Sequence, residues 1–208
     1  MLEKFEIFKM FPVPLYLTNI GTENYNLNEI NKEEYVRMKS GNGYYTKDKH
    51  ILDKQSHNNL KNKINEHLNF FLKQQLFTNN DLTFYITTSW INIHKKDDWA
   101  QTHSHENSII SGVYYIKTTE ISGDIIFYVD TCRKLFSPTI NINFNQRNDL
   151  NTDEWIIKPK SGSLILFPSY LSHGVKKNMS ENDRISLAFN VFVKGKLSNN
   201  TEGELDLK

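Results

Sequence analysis

Gln101-Thr-His-Ser-His-Glu106 and the later stretch Gly162-Ser-Leu-Ile-Leu-Phe-Pro-Ser-Tyr-Leu-Ser-His173 decide how this chain folds. The first leads into the apolar run Ser111-Gly-Val-Tyr-Tyr-Ile116, and the second carries its own apolar run before its histidine. Runs that are rich in β-branched and aromatic residues are typical of strands. Histidines therefore stand at the ends of two strands that are far apart in the sequence.

The spacing of the histidines indicates a metal site. His103 and His105 are two positions apart, and residues i and i+2 of a strand point to the same face of a sheet. His173 follows 70 residues after His103, which is enough chain to return from an opposite sheet. Nitrogen and oxygen ligands with open coordination positions suit Fe(II) oxygen chemistry, in which two histidines and a carboxylate usually hold the metal. We therefore expect a mononuclear iron site.

A carboxylate receptor is expected next to this site. Arg184 follows His173 by eleven residues, in the strand after a polar turn, and Ser186 is two positions further on. Both side chains then lie on one face of that strand. A guanidinium and a hydroxyl on one face form a good receptor for a carboxylate, because the arginine fork bonds both oxygens.

The rest of the chain predicts a mainly β fold with helices near the N-terminus. Residues 27–39 and 56–76 are predicted to be helical, the latter from apolar residues at helical spacing. From residue 82 onward short strands alternate with turns such as 94–98, which favours a double-stranded β-helix, the cupin-like jelly roll. We divide the chain into a supporting region (1–80), a catalytic core (81–194) and a polar tail (195–208). The Asn-rich segment 131–154 is expected to be a long loop or insertion, for which a lid is one candidate role.

Composition narrows the class of protein. The net charge is +1 with acids and bases interspersed, so neither nucleic acid nor an anionic membrane is expected as a partner. No apolar run is long enough to span a bilayer, and no secretory signal is visible. The single cysteine, Cys132, fits a reducing compartment, so we expect a cytoplasmic protein, in the host cytoplasm if it is phage-encoded.

Five motifs together resemble the 2-oxoglutarate/Fe(II)-dependent dioxygenases, and are most similar to the prolyl-hydroxylase-like oxygenases of phages and bacteria. They are His-x-His at 103–105, Ser-Gly-Val-Tyr-Tyr at 111–115, Gly-Ser-Leu-Ile-Leu-Phe-Pro-Ser at 162–169, Ser-His-Gly-Val at 172–175 and Arg-Ile-Ser at 184–186. The resemblance implies that His103 and His173 bind iron. It implies that Arg184 and Ser186, with Tyr115 as a further contact, hold 2-oxoglutarate. It also implies decarboxylation of this co-substrate and O2-dependent hydroxylation of a C–H bond, with ascorbate as an additional cofactor candidate.

One position departs from this family. Such enzymes normally carry His-x-Asp or His-x-Glu, and here His105 stands at the carboxylate position. Either the iron has three histidine ligands, or an acid such as Glu106 or Asp124 completes the set, or the site binds metal weakly or binds zinc. We favour the three-histidine site.

Two other functions are compatible with the same residues. The first is a three-histidine metal oxygenase that does not use 2-oxoglutarate. The second is a non-catalytic, cupin-like metal-binding or structural protein, since a fold alone does not define a function. The primary substrate stays open among a protein side chain such as proline, a nucleotide base, a lipid and a small metabolite. The oligomeric state is open as well.

Overall fold

Two antiparallel β-sheets form the body of the protein in a computed structural model, which describes residues 3–39, 41–130, 140, 142–198 and 202–208. The strands of the large sheet are β1 (Tyr16–Asn19), β2 (Tyr35–Arg37), β3 (Tyr44–Thr46), β4 (Thr83–His94), β6 (Ile110–Lys117), β9 (Ser163–Pro168), β11 (Arg184–Leu197) and β12 (Leu205–Leu207). Those of the small sheet are β5 (Ala100–His103), β7 (Ile125–Tyr128), β8 (Glu154–Ile157) and β10 (His173–Val175).

The sheet order is that of a jelly roll. The large sheet runs β1-β9-β6-β11-β4-β3-β2, with β12 paired to the end of β11, and the small sheet runs β5-β10-β7-β8. Sequence neighbours such as β9 and β10 lie in different sheets, so the chain crosses between the two layers. The prediction of a mainly β jelly roll is confirmed.

The large sheet is covered on both faces. Along β6 and β9, one set of alternate residues, such as Tyr114 and Leu166, joins a core beneath the N-terminal helix. The other set, such as Val113, Tyr115 and Ile165, joins a second core shared with the small sheet. Because both faces are buried, these strands read as continuous apolar runs without polar alternation. The inner core is the one that positions the histidines and Arg184.

The N-terminal region supports the outer face of the large sheet. A helix, α1, spans Asn58–Asn69 and continues as a π-helical turn over Phe70–Gln75, close to the predicted helix 56–76. Short 3₁₀ turns occupy Leu27–Lys32, Ile51–Asp53 and Gln55–His57. No helix in the described part of the chain is long and apolar enough to cross a membrane.

Two expectations change in the structure, and a third lies partly outside the described residues. The helix predicted at 27–39 is a 3₁₀ turn followed by strand β2, because Tyr35–Arg37 pairs with β3. The segment expected as a polar tail contributes the last residues of β11 and all of β12, which pair with each other. The segment expected as a lid, 131–154, lies partly outside the described residues, and Cys132 lies outside them. The last residue of this segment, Glu154, begins strand β8.

Candidate metal and co-substrate site

Pairing between β5 and β10 brings the three histidines together. His103 ends β5 and His173 begins β10, and the two residues are direct partners across the strands. His105 lies two residues beyond β5, where its backbone N–H donates to the Ser169 carbonyl at 3.0 Å. One ring nitrogen from each histidine lies within 4.8 Å of the other two. Residues 70 positions apart in sequence therefore present their imidazoles to one point.

Hydrogen bonds at the Nδ1 atoms determine which nitrogen of each ring has a lone pair free to bind a metal. The Nδ1 of His103 lies 2.8 Å from the Gln101 carbonyl, and that of His173 lies 2.9 Å from the Leu171 carbonyl. Carbonyl oxygens only accept, so both Nδ1 atoms carry the proton and donate it. His105 Nδ1 lies 2.6 Å from Asn190 Oδ1, another acceptor. All three rings thus keep an unprotonated Nε2 with its lone pair available.

The spacing of these nitrogens fits a bound cation. His103 Nε2 and His105 Nε2 are 3.2 Å apart, and two lone pairs at that distance repel each other unless something positive lies between them. Two nitrogens bound at about 2.1 Å in adjacent positions of an octahedral metal are about 3.0 Å apart. The donor set and its spacing therefore fit Fe(II) or a similar divalent ion.

Burial keeps the His105 and His173 imidazoles neutral, as metal ligation requires. Burial, reinforced by His103, lowers the pKa of His173 to about 3. Burial also lowers the pKa of His105, against the opposing effect of its hydrogen bond to Asn190. Neutral imidazole is the form that binds metals, so neither of these two rings must lose a proton at neutral pH.

A small buried polar network orients His105. Ser111 Oγ lies 2.8 Å from His105 Nδ1 and donates to Asn190 Oδ1 at 3.0 Å. The same hydroxyl lies 2.9 Å from Ser169 Oγ, which donates to Ser108 at 2.8 Å. Hydrogen bonds to the far nitrogen of a histidine set its tautomer and ring orientation. His105 is thus held as firmly as its two neighbours, although it lies outside a strand.

Arg184 lies deeper in the same cavity and carries hydrogen-bond donors that no described residue pairs. Its side chain is 2 % exposed, and it donates from Nη2 to the Tyr115 hydroxyl at 3.2 Å. No described residue accepts from its Nε or Nη1 atoms. Buried donors normally have partners, so this fork is suited to an anion that enters the cavity. Ser186 is buried and lies directly across from Tyr115 in the strand pairing. Burial also raises the pKa of Tyr115, so its hydroxyl stays protonated.

His94 is a pocket residue that the sequence did not reveal. The turn expected at 94–98 begins one residue late, because His94 is the last residue of β4 and pairs with Arg184. Its ring is buried, and no described residue bonds to either ring nitrogen. Burial and the adjacent guanidinium lower its pKa to about 3, so it is neutral. A lone histidine beside a lysine pair carries no sequence signal for this position.

These residues line one cavity of about 330 Å³ that holds both the three histidines and Arg184. Its described lining contains Lys39 and Lys49 but neither aspartate nor glutamate. Glu106 is exposed, and Asp124 lies 3.9 Å from the Lys176 ammonium; neither joins the histidine cluster. Within the described residues, therefore, His105 and no carboxylate lies in the cluster with His103 and His173.

Comparison with known proteins identifies the class. Residues 88–190 match the family model described as "Putative 2OG-Fe(II) oxygenase". The matched segment begins within β4 and ends within β11, so it contains the three histidines and Arg184. A comparison with curated protein sequences gives no match.

Solved structures share the fold at low sequence identity. A prolyl-4-hydroxylase from Pseudomonas putida is 13 % identical, with a TM-score of 0.56 over 86 % of this chain and 92 % of that one. HygX from Streptomyces hygroscopicus, solved with nickel and 2-oxoglutarate, is 11 % identical, with a TM-score of 0.59 over 94 % and 93 % of the two chains. The viral collagen prolyl hydroxylase of Paramecium Bursaria Chlorella virus-1 is 16 % identical, with a TM-score of 0.51 over 85 % and 94 %.

The chain belongs to the 2-oxoglutarate/Fe(II)-dependent oxygenase superfamily. It is an oxidoreductase whose cofactors are Fe(II) and 2-oxoglutarate, and the histidine cluster fits that metal.

Proposed function

We propose that His103, His105 and His173 hold the iron, and that Arg184, Ser186 and Tyr115 bind the distal carboxylate of 2-oxoglutarate. The enzyme then hydroxylates a C–H bond of an organic substrate. The observation that carries this proposal is the convergence of three unprotonated Nε2 atoms in one cavity with a buried arginine fork. We place the activity in the cytoplasm, since a chain with one cysteine fits a reducing compartment.

Each group has a definite task. When bound, Fe(II) and 2-oxoglutarate would supply the oxidation, in which one atom of O2 enters the substrate and the other enters succinate as 2-oxoglutarate loses CO2. The three imidazoles bind the metal as neutral ligands, with Gln101, Leu171 and Asn190 accepting from their Nδ1 atoms. Arg184 neutralises the distal carboxylate in a site from which water is excluded by burial. Its distance from bulk solvent strengthens that interaction.

The absence of a carboxylate from the described cavity lining changes the charge of the site. Three neutral ligands leave the divalent charge uncompensated, whereas the usual carboxylate would remove one unit. An anionic co-substrate such as 2-oxoglutarate is then attracted both by the metal and by Arg184. A peptidyl proline is one candidate substrate, because two of the similar structures are prolyl hydroxylases.

Succinate release tests this function. Enzyme loaded with Fe(II) and 2-oxoglutarate under nitrogen is exposed to a pulse of oxygen, and succinate is quantified. We expect about one succinate per active site from the wild type and a much smaller yield from Arg184→Met, which keeps the bulk of the side chain but loses the fork. Oxygen uptake without succinate would contradict the proposal and favour a three-histidine oxygenase that does not use 2-oxoglutarate. Neither uptake nor succinate would favour a non-catalytic protein.

A further inference from the structure

Lys49 holds a positive charge over two aromatic rings at the side of the cavity. Its Nζ lies 3.6 Å from the centroid of the Tyr45 ring and 5.5 Å from that of the Trp90 ring. Its carbonyl accepts from the Ser89 N–H at 2.6 Å, which fixes the backbone of Lys49 against β4. Because the Lys49 backbone is bonded to β4 and the two rings belong to β3 and β4, the fold places the ammonium at this side of the cavity.

The ammonium has no anionic partner among the described residues. No ion pair in the described part of the chain includes Lys49. The neighbouring Asp48 instead lies 3.0 Å from Lys54 Nζ and accepts from the His50 N–H at 2.8 Å. Partial burial lowers the pKa of Lys49 to about 8. Desolvated charges are usually paired, and a cation–π contact recovers only part of the lost hydration. The described residues therefore supply no anion to balance the charge of Lys49.

Lys49 faces the reaction site, since Lys49, Tyr45 and Trp90 line the cavity that contains the histidines. The Trp90 ring centroid lies 5.8 Å from that of His105. Any anion held by Lys49 would thus lie beside the proposed iron ligands.

The Trp90 side of the aromatic pair lies away from Arg184 along the large sheet. Trp90 pairs with Ala188, four residues along β11 from Arg184, and four residues of strand span about 13 Å. Tyr45 pairs with Asn92, which faces Ser186, so its backbone lies only two residues along the sheet from Arg184. An anion held between Lys49 and Trp90 therefore lies on the histidine side of the cavity, away from the Arg184 fork. The described lining holds three cationic side chains, the exposed Lys39 together with Lys49 and Arg184, and no acid.

We propose that the primary substrate is an anion, carrying a carboxylate or phosphate group that binds Lys49 while an adjacent part of the molecule rests on Tyr45 and Trp90. This inference rests on the proposed function and narrows its substrate class. A carboxylate and a phosphate share the chemistry that Lys49 recognises, a compact negative charge with oxygen acceptors.

Quenching of Trp90 fluorescence measures the anion concentration at this position. The chain has three tryptophans, so Trp99→Phe and Trp155→Phe together leave Trp90 as the reporter. Iodide is the anionic probe and acrylamide the neutral one, both added at constant ionic strength to enzyme loaded with Fe(II) and 2-oxoglutarate under nitrogen. Lys49→Met keeps most of the apolar stem and loses the charge. Lys47→Met is the matched control, because the Lys47 side chain is 71 % exposed and paired with Glu34.

We expect the ratio of iodide to acrylamide quenching to fall about threefold in Lys49→Met, the enrichment produced by a local potential of about 1 kT. The ratio should persist in Lys49→Arg and in Lys47→Met. Inorganic phosphate or acetate should protect Trp90 from iodide, whereas neutral acetamide should not. The stronger competitor indicates whether the substrate carries phosphate or carboxylate. The proposal would be overturned by equal quenching ratios with and without Lys49→Met in the Trp99→Phe, Trp155→Phe protein. It would also be overturned if neither phosphate nor acetate protected Trp90.

A second readout separates this proposal from the proposed function. The dissociation constant of 2-oxoglutarate should change less than twofold in Lys49→Met. A loss of 2-oxoglutarate affinity as large as that caused by replacing Arg184 would assign Lys49 to the co-substrate and overturn the inference. If the wild type released no succinate, both the function and the substrate class would fall, and the quenching ratio would then report only whether an anion site exists.

Discussion

Replacing Arg184 by lysine tests the co-substrate end of the cavity most sharply. The substitution keeps the positive charge but removes the planar fork, whose Nε and Nη1 atoms have no described partner in the chain. Hydrogen bonds to charged groups contribute about 1.5–3 kcal/mol each. Losing one of two such bonds to the distal carboxylate at about 2 kcal/mol predicts a roughly 30-fold weaker binding of 2-oxoglutarate.

Calorimetric titration of 2-oxoglutarate into anaerobic Fe(II) enzyme measures this effect, and a separate titration of metal into metal-free enzyme measures the histidine cluster. Metal affinity should change less than threefold, because the guanidinium bonds to Tyr115 and not to a histidine. Arg147→Lys is the control, since its side chain is 53 % exposed, far from complete burial. Equal losses of metal and 2-oxoglutarate affinity in Arg184→Lys would show that Arg184 maintains the fold, and would refute the reasoning.

Two further perturbations probe the polar residues around the site. Asn190→Ala removes the acceptor that lies 2.6 Å from His105 Nδ1, so we expect calorimetry to show metal binding about 10–100-fold weaker. Asn190→Asp keeps an acceptor and should retain or strengthen metal binding. Unchanged metal affinity in Asn190→Ala would exclude this positioning role. His94 has a pKa lowered to about 3, so between that pH and 6.5 the unfolded chain binds more protons and acid destabilises the fold. Urea unfolding of the metal-free enzyme measures the free energy of unfolding at pH 7.5 and at pH 5.5. Between these two pH values the wild type should lose about 1.4 kcal/mol more than His94→Gln, which lacks the titrating group. Equal losses in the two proteins would contradict a neutral, buried His94.

The fold and the grouping of the candidate site residues could be predicted largely from local patterns. Strand periodicity placed Arg184 and Ser186 on one face of β11. It also grouped His103 with His105, but His105 reaches the cluster from beyond the end of β5 and not from a strand position. These side chains meet in the structure because β5 pairs with β10 and β11 runs through the centre of the large sheet.

The residues that the sequence did not reveal depend on long-range pairing. Strand β3 has three residues, too few for a periodic pattern, yet its pairing with β4 sets Tyr45 opposite Asn92. That pairing creates the aromatic pair under Lys49. His94 looked like part of a polar turn because Lys95 and Lys96 follow it, and only the pairing with Arg184 buries it. Sequence alternation reports which face a residue occupies, but not which distant strand covers that face.

The central claim is that three imidazoles, without a protein carboxylate, bind the iron. X-ray absorption at the iron edge of the Fe(II)–2-oxoglutarate enzyme counts these ligands directly, because imidazole rings give a characteristic multiple-scattering pattern. The account predicts three imidazoles in the wild type and two in His105→Ala. Two imidazoles in the wild type, unchanged in His105→Ala, would contradict it.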